Sequence, residues 1–297
     1  MWEQLKAQLS NGDIQALARC ITLVENEVPG YEDLLLSIPA NRKSPVIGIT
    51  GPPGAGKSTI TDALIAVLTR QQKKVAVLCV DPSSPFHFGA ILGDRIRMSE
   101  WYTNPQVYIR SLASRGSLGG LHPKIIEIAD LLPWAGFDYV LIETVGVGQS
   151  EVEIAGLADV TVVTIVPEAG DEIQTMKAGL MEVADVFVVN KADRPGADAF
   201  VRNLQLMLAP AFQQAHKTIP VIKTIASQRS GIDELMTAIE QQLSELHQND
   251  RKYWLLAERA WQLIVQKRMQ DLSKAQLAAR IREQESGFQL YQFVRNY

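Results

Sequence analysis

Apolar residues recur at steps of three and four in the first part of the chain: Leu5 and Leu9, then Ile14, Leu17, Ala18 and Ile21, with Asn11, Gly12 and Asp13 as a break between them. That spacing predicts a small helical lead-in over residues 1 to about 38. The segment "IPANRKSP" interrupts it with two prolines, and the pattern then changes character. Continuous β-branched and apolar runs follow at 46–50, 74–80, 106–111, 138–143, 160–166, 186–191 and 219–226, separated by stretches long enough to cross over a sheet. Such runs predict an α/β fold with a mostly parallel sheet covered on both faces, whose ligands bind beyond the carboxyl ends of the strands. After about residue 233 the pattern is helical and charged to the end. There Trp254, Ala257, Trp261 and Ile264 form a stripe that suits either core packing or a helical arm set against a second chain. The expected organisation is an N-terminal helical segment (1–44), a central domain (45–240) and a C-terminal helical arm (241–297).

Composition narrows the class. In 297 residues, 46% hydrophobic and 21% charged, the chain has the balance of a folded globular protein. A formal charge of -4 offers no basic face for nucleic acid, so none is expected as a partner. Two cysteines, Cys20 and Cys79, make neither a disulfide framework nor a zinc motif. No signal peptide is read at the N-terminus and no run reaches the ~18 apolar residues of a membrane span, which predicts a cytoplasmic protein without a membrane partner.

The chemistry begins at "VIGITGPPGAGKST", which fits G-x-x-x-x-G-K-[ST] between a predicted strand and a predicted helix. In the loop Gly51, Pro52, Pro53, Gly54, Ala55 and Gly56, the glycines let backbone N–H groups wrap phosphates, and the following helix adds its positive end. Lys57 is predicted to reach the β- and γ-phosphates, Ser58 to ligate Mg²⁺ and Thr59 to bind a phosphate oxygen. A dinucleotide fold needs neither the lysine nor the hydroxyl, so phosphoryl chemistry is favoured over hydride transfer. Asp81 and Glu143 each end a predicted strand at the ligand edge, and Asp94 lies on a glycine-containing loop. Three acids around one metal are tolerable only when the cation and phosphates neutralise them. In "VVNKAD", Asn190, Lys191 and Asp193 supply base specificity, because a carboxylate satisfies the paired donors of guanine and has no counterpart on adenine. "TIASQRSG" places Ala226 and Ser227 where a last loop meets the base. The expected ligands are GTP or GDP with Mg²⁺.

Together "GPPGAGKST", "VDPSSP", "ILGDRIRM", "SRGSLGG", "ETVGVGQSE", "GDEIQTMKAGLMEVAD" and "NKAD" resemble the ArgK/MeaB/MMAA-type P-loop GTPases over residues 40 to 235. The resemblance implies a SIMIBI-type GTPase fold with helical N- and C-terminal extensions. It further implies a dimeric chaperone that gates cofactor delivery to, and protects or reactivates, a cobalamin-dependent acyl-CoA mutase of the methylmalonyl-CoA mutase type. Carried over, it puts Lys57, Ser58 and Thr59 on phosphates and metal, Asp81, Asp94 and Glu143 around the metal, and Asn190, Lys191 and Asp193 on guanine. Pro167 to Lys177 matches the family's additional switch, with Lys177 a partner for the site's acids, and the C-terminal helices match its dimerisation arm.

Some positions depart from that pattern. "PFHFGA" puts Phe88 where a glycine is common, and Ile225 replaces a serine before Ala226. Val147 follows Gly146 where small GTPases often carry a water-orienting glutamine, and an apolar side chain cannot orient water. Slow intrinsic hydrolysis is expected, with either Gln149 or a residue of the partner completing the site. Two rival readings are a nucleotide-dependent kinase acting on a small molecule or transport protein, and a GTPase that inserts nickel or cobalt. The second would need softer ligands than the scattered His87, His122, His216 and His247 provide.

Overall fold

The structure, a computed structural model, describes residues 1–41, 43–81, 98–114, 121–144, 150–167, 178–215, 219–245, 250–269, 271–283, 288–295 and 297. It divides into two compact units, Met1–Lys252 and Tyr253–Tyr297. The first unit carries a seven-stranded sheet in which every pairing is parallel. Its strands are β1 (Val46–Thr50), β2 (Val75–Asp81), β3 (Val107–Ala113), β4 (Tyr139–Thr144), β5 (Val160–Ile165), β6 (Val186–Val189) and β7 (Val221–Lys223), in the order β3-β2-β4-β1-β5-β6-β7. β1 is central. Its neighbours are β4, with Ile49 opposite Glu143, and β5, with Thr50 opposite Val163, so the crevice of the sheet lies where these three strands end.

The strands are continuous apolar runs because both faces are covered. On one face Ile47 and Ile49 pack with Ile60, Leu64 and Leu68 of the helix Lys57–Arg70 and with Leu235 and Ile239 of Ile232–Ser244. On the other, Val163, Ile165, Phe187 and Val189 meet Phe200, Leu204 and Leu208 of Ala197–Ala215. The sequence reading of seven strands holds, with two edges corrected. β6 stops at Val189, so Asn190 and Lys191 stand just past it, and Lys191 turns the chain with φ +57°. β7 covers three residues of the run read at 219–226. Beyond it, Ile225 N–H donates to Ser230 O, and the chain folds back through the short helix Ala226–Gln228 instead of extending the strand.

The lead-in forms α1 (Trp2–Ser10), α2 (Ile14–Glu25) and α3 (Tyr31–Leu36). Asp13 starts α2 by accepting from the N–H groups of Gln15 and Ala16 at 2.8 and 2.9 Å, which satisfies two of the four orphan donors of a helix start. The stripe Leu17, Cys20, Ile21 and Val24 is buried as α2 packs with α1 and with the helix Ile125–Trp134, and burial pushes the Cys20 thiol up to about 11, a packing residue and not a nucleophile. Arg110 of β3 pairs with Glu25, and Lys124 lies 2.7 Å from Glu27. In the second unit Phe293 is buried against the rings of Phe288 and Tyr297 at 5.6 and 5.3 Å, whereas Trp254 and Trp261 are 78% and 65% exposed.

Candidate functional site

β1 delivers the chain to the crevice, and the loop that follows can be built only with glycine at two points. Gly51 has φ +135°, and a Cβ there would stand 2.0 Å from Thr164 O of β5; Gly56 has φ +92°, and a Cβ would meet Asn190 Nδ2 at 2.3 Å. The loop is thus pressed between β5 and the segment after β6. A Cβ at Gly54 would meet nothing within 4 Å, so the open side of the loop lies there. The helix Lys57–Arg70 begins at Gly56 with no side-chain cap, so no capping side chain stands at its positive end, where an anion fits. Lys57 Nζ lies 2.9 Å from Gly51 O and 3.0 Å from Pro52 O, which holds a buried ammonium at the loop. These features fit a polyphosphate.

Ser58 and Glu143, far apart in sequence, come together. Ser58 Oγ donates to Glu143 Oε1 at 2.6 Å, while Thr61 Oγ1 lies 2.9 Å from Glu143 Oε2, all three residues being buried. A hydroxyl whose proton is turned to a carboxylate presents its lone pairs elsewhere. Such a hard-oxygen pair beside a phosphate cradle fits Mg²⁺. Thr144 Oγ1 bonds Thr50 Oγ1 at 2.9 Å and ties the ends of β4 and β1. Asp81 closes β2 at the same edge, opposite Ala113 of β3, and Thr59 is half-buried on the first turn of the helix. Asp94, Gln149 and Lys177 lie outside the described residues, as do Phe88, Val147 and all of the switch-like segment but Pro167.

The residues read as guanine contacts divide into two groups. Asn190 is buried and braces three segments: its Nδ2 donates to Ala55 O at 3.0 Å, and its Oδ1 accepts from Thr224 Oγ1 and from Ala226 N–H, both at 3.1 Å. Its role in the structure is therefore to hold the phosphate loop to the loop after β7. Lys191 Nζ reaches Gly54 O at 2.8 Å. Asp193 and Ser227 are exposed, where a base can meet them. Sequence reasoning missed Thr61, Thr50 and Thr144. Thr61 was open to notice, since it follows Lys57 by one helical turn on the buried face. Nor did it find Asp62, which accepts from Trp101 Nε1 at 2.7 Å and lies 3.9 Å from Arg229 Nη2.

The family model described as methylmalonyl-CoA mutase-associated GTPase MeaB matches residues 17–281. The chain belongs to the MeaB family of GTPases. A protein of Pyrococcus abyssi named as a GTPase is 46% identical over 255 residues, 84% of this chain and 79% of that one. GTPase ArgK of Escherichia coli is 38% identical, with 78% and 73% covered. The fused isobutyryl-CoA mutase of Geobacillus kaustophilus is 38% identical over 74% of this chain, which corresponds to 22% of that protein. Among solved structures, a LAO/AO transport system kinase superposes with a TM-score of 0.69 at 26% identity over 99% of this chain and 95% of the other. The nickel-bound HypB of Helicobacter pylori gives 0.52 at 16% identity over 75% of this chain and 95% of that one, a likeness of fold alone. As a MeaB-family GTPase the chain binds guanine nucleotide and hydrolyses GTP. No helix among the described residues is long and apolar enough to cross a membrane.

Proposed function

We propose that the chain binds GTP with Mg²⁺, hydrolyses it slowly, and uses the two nucleotide states to gate cofactor delivery to a cobalamin-dependent acyl-CoA mutase of the methylmalonyl-CoA mutase type, and to protect or reactivate it. The observation that carries the partner is the relative in which a GTPase segment like this chain is fused to an isobutyryl-CoA mutase, together with the family's description as mutase-associated. In this reading Lys57 and Thr59 hold phosphates, Ser58 and Glu143 hold Mg²⁺ with Asp81 and Asp94 nearby, and Asp193 with the Ser227 backbone reads guanine. When bound, Mg²⁺ neutralises charge on the β- and γ-phosphates. Gln149 and Lys177 act at the γ-phosphate side, and the C-terminal helical arm, 241–297, pairs two copies. The exposed Trp254 and Trp261 support that last role, since a large apolar surface at a helix face marks an interface.

A kinase reading is not favoured, because the guanine motif stands in place of adenine recognition. The test is GTP turnover by the purified chain alone and with an acyl-CoA mutase bearing cobalamin. Turnover that rises at least about ten-fold with the mutase, together with nucleotide-dependent co-elution, supports the proposal. Turnover and elution indifferent to every such mutase would reject it.

A further inference from the structure

Thr61 sits on the buried face of the helix Lys57–Arg70, fully shielded from solvent, as are Ile60, Ala63 and Leu64 of the same helix. In such surroundings valine has nearly the same shape and no polar group to satisfy, so a hydroxyl is explained only by its acceptors. Two are in reach: Glu143 Oε2 at 2.9 Å and Lys57 O, one turn back, at 3.0 Å. One O–H proton favours the carboxylate, where the bond is charge-assisted, over a backbone carbonyl that already serves the helix. The opposite carboxylate oxygen takes Ser58 Oγ at 2.6 Å. Each oxygen of Glu143 is therefore addressed by a hydroxyl of the same helix, one turn apart, and the plane of the carboxylate is fixed relative to the phosphate loop.

We infer that Thr61 is a positioning residue for the metal site: by holding Glu143 Oε2 it keeps Oε1 turned to Ser58, and so keeps the Ser58 lone pairs directed toward Mg²⁺. The inference deepens the reading of Ser58 and Glu143 as the metal's holders and rests on it. Losing the Thr61 hydroxyl removes the hold on Oε2, which loosens the Oε1 contact with Ser58 and weakens the metal without touching the base or the phosphates.

The test measures GDP affinity by calorimetry and release of a fluorescent GDP analogue across a Mg²⁺ titration, with EDTA as the metal-free limit. Thr61→Val is expected to raise the Mg²⁺ concentration for half-maximal slowing of release roughly ten-fold, the scale of one hydrogen bond to a charged group. Its GDP affinity in EDTA is expected to stay as in the wild type, and Thr61→Ser to restore the Mg²⁺ response. A residue that only packs the helix would change melting temperature and leave the Mg²⁺ titration where it was. Thr61→Ala serves if the valine variant does not fold. Glu143→Gln separates the two readings. If it shifts the titration and the Thr61 variants do not, the inference about Thr61 is wrong. If Glu143→Gln also titrates as the wild type, the metal reading of Glu143 falls and this inference with it.

Discussion

At the scale of single residues, the phosphate loop shows how little freedom its sequence has. Gly56 combines φ +92° with a Cβ position 2.3 Å from the Asn190 amide. Gly56→Ala is expected to push Asn190 off Ala55 O and to let the loop leave its phosphate-ready shape. Backbone strain of this kind costs about 1–3 kcal/mol, so GDP should bind roughly 5–150-fold more weakly by calorimetry. Unchanged affinity would show that the loop tolerates a Cβ. Gly56 and Lys57 were legible from the sequence because the motif is local: spacing alone sets a turn against a helix start. Asn190 was legible as a member of a guanine motif but not as a brace, because its partners Ala55, Thr224 and Ala226 belong to segments that only the fold brings together. Thr61 was legible by its place one turn after Lys57 but not by its partner, for a related reason. A threonine inside a helix reads as an ordinary buried residue until the carboxylate of another strand is set against it.

At the scale of elements, the seven strands were legible from continuous apolar runs, and the sheet order was not, since run length says nothing of neighbours. The shortening of β7 came from turn chemistry: Ile225 spends its N–H on Ser230 O, which ends the ladder after Lys223. The lead-in shows a second limit. Periodicity gave α1 and α2 but not their partners: Arg110 of β3 pairs with Glu25 and donates to Thr22 Oγ1 at 3.2 Å, and Trp134 Nε1 donates to Ser10 Oγ at 2.7 Å. Arg110→Ala removes the guanidinium from a largely buried carboxylate and should lower unfolding free energy by about 1–3 kcal/mol in urea titrations. The nucleotide affinity should not move, because Arg110 stands on the outer strand of the sheet, away from the phosphate loop. An equal loss of GDP binding would place the lead-in within the nucleotide machinery.

At the scale of the molecule, the second unit carries aromatic side chains that its own core does not use. Tyr253, Trp254 and Trp261 are exposed, whereas Phe288, Phe293 and Tyr297 cluster. If the arm pairs two copies, the double variant Trp254→Glu, Trp261→Glu should sediment as a monomer at concentrations where the wild type is a dimer, with GDP affinity retained. A wild type that sediments as a monomer would remove the arm's proposed role.

The brace at Asn190 has a consequence for the nucleotide taken as a tethered pair of ligands. In the proposed reading guanine and the phosphates are two hands joined by a ribose, and the loops they would grasp are joined by one buried amide. Ordering either seat lowers the entropy left to lose at the other, so each half of the ligand is bound to a protein that the first half has partly prepared. By thermodynamic reciprocity the benefit is the same in both directions. A guanosine and a free polyphosphate, supplied separately, should therefore help one another onto the protein, and that mutual help should vanish with the Asn190 side chain.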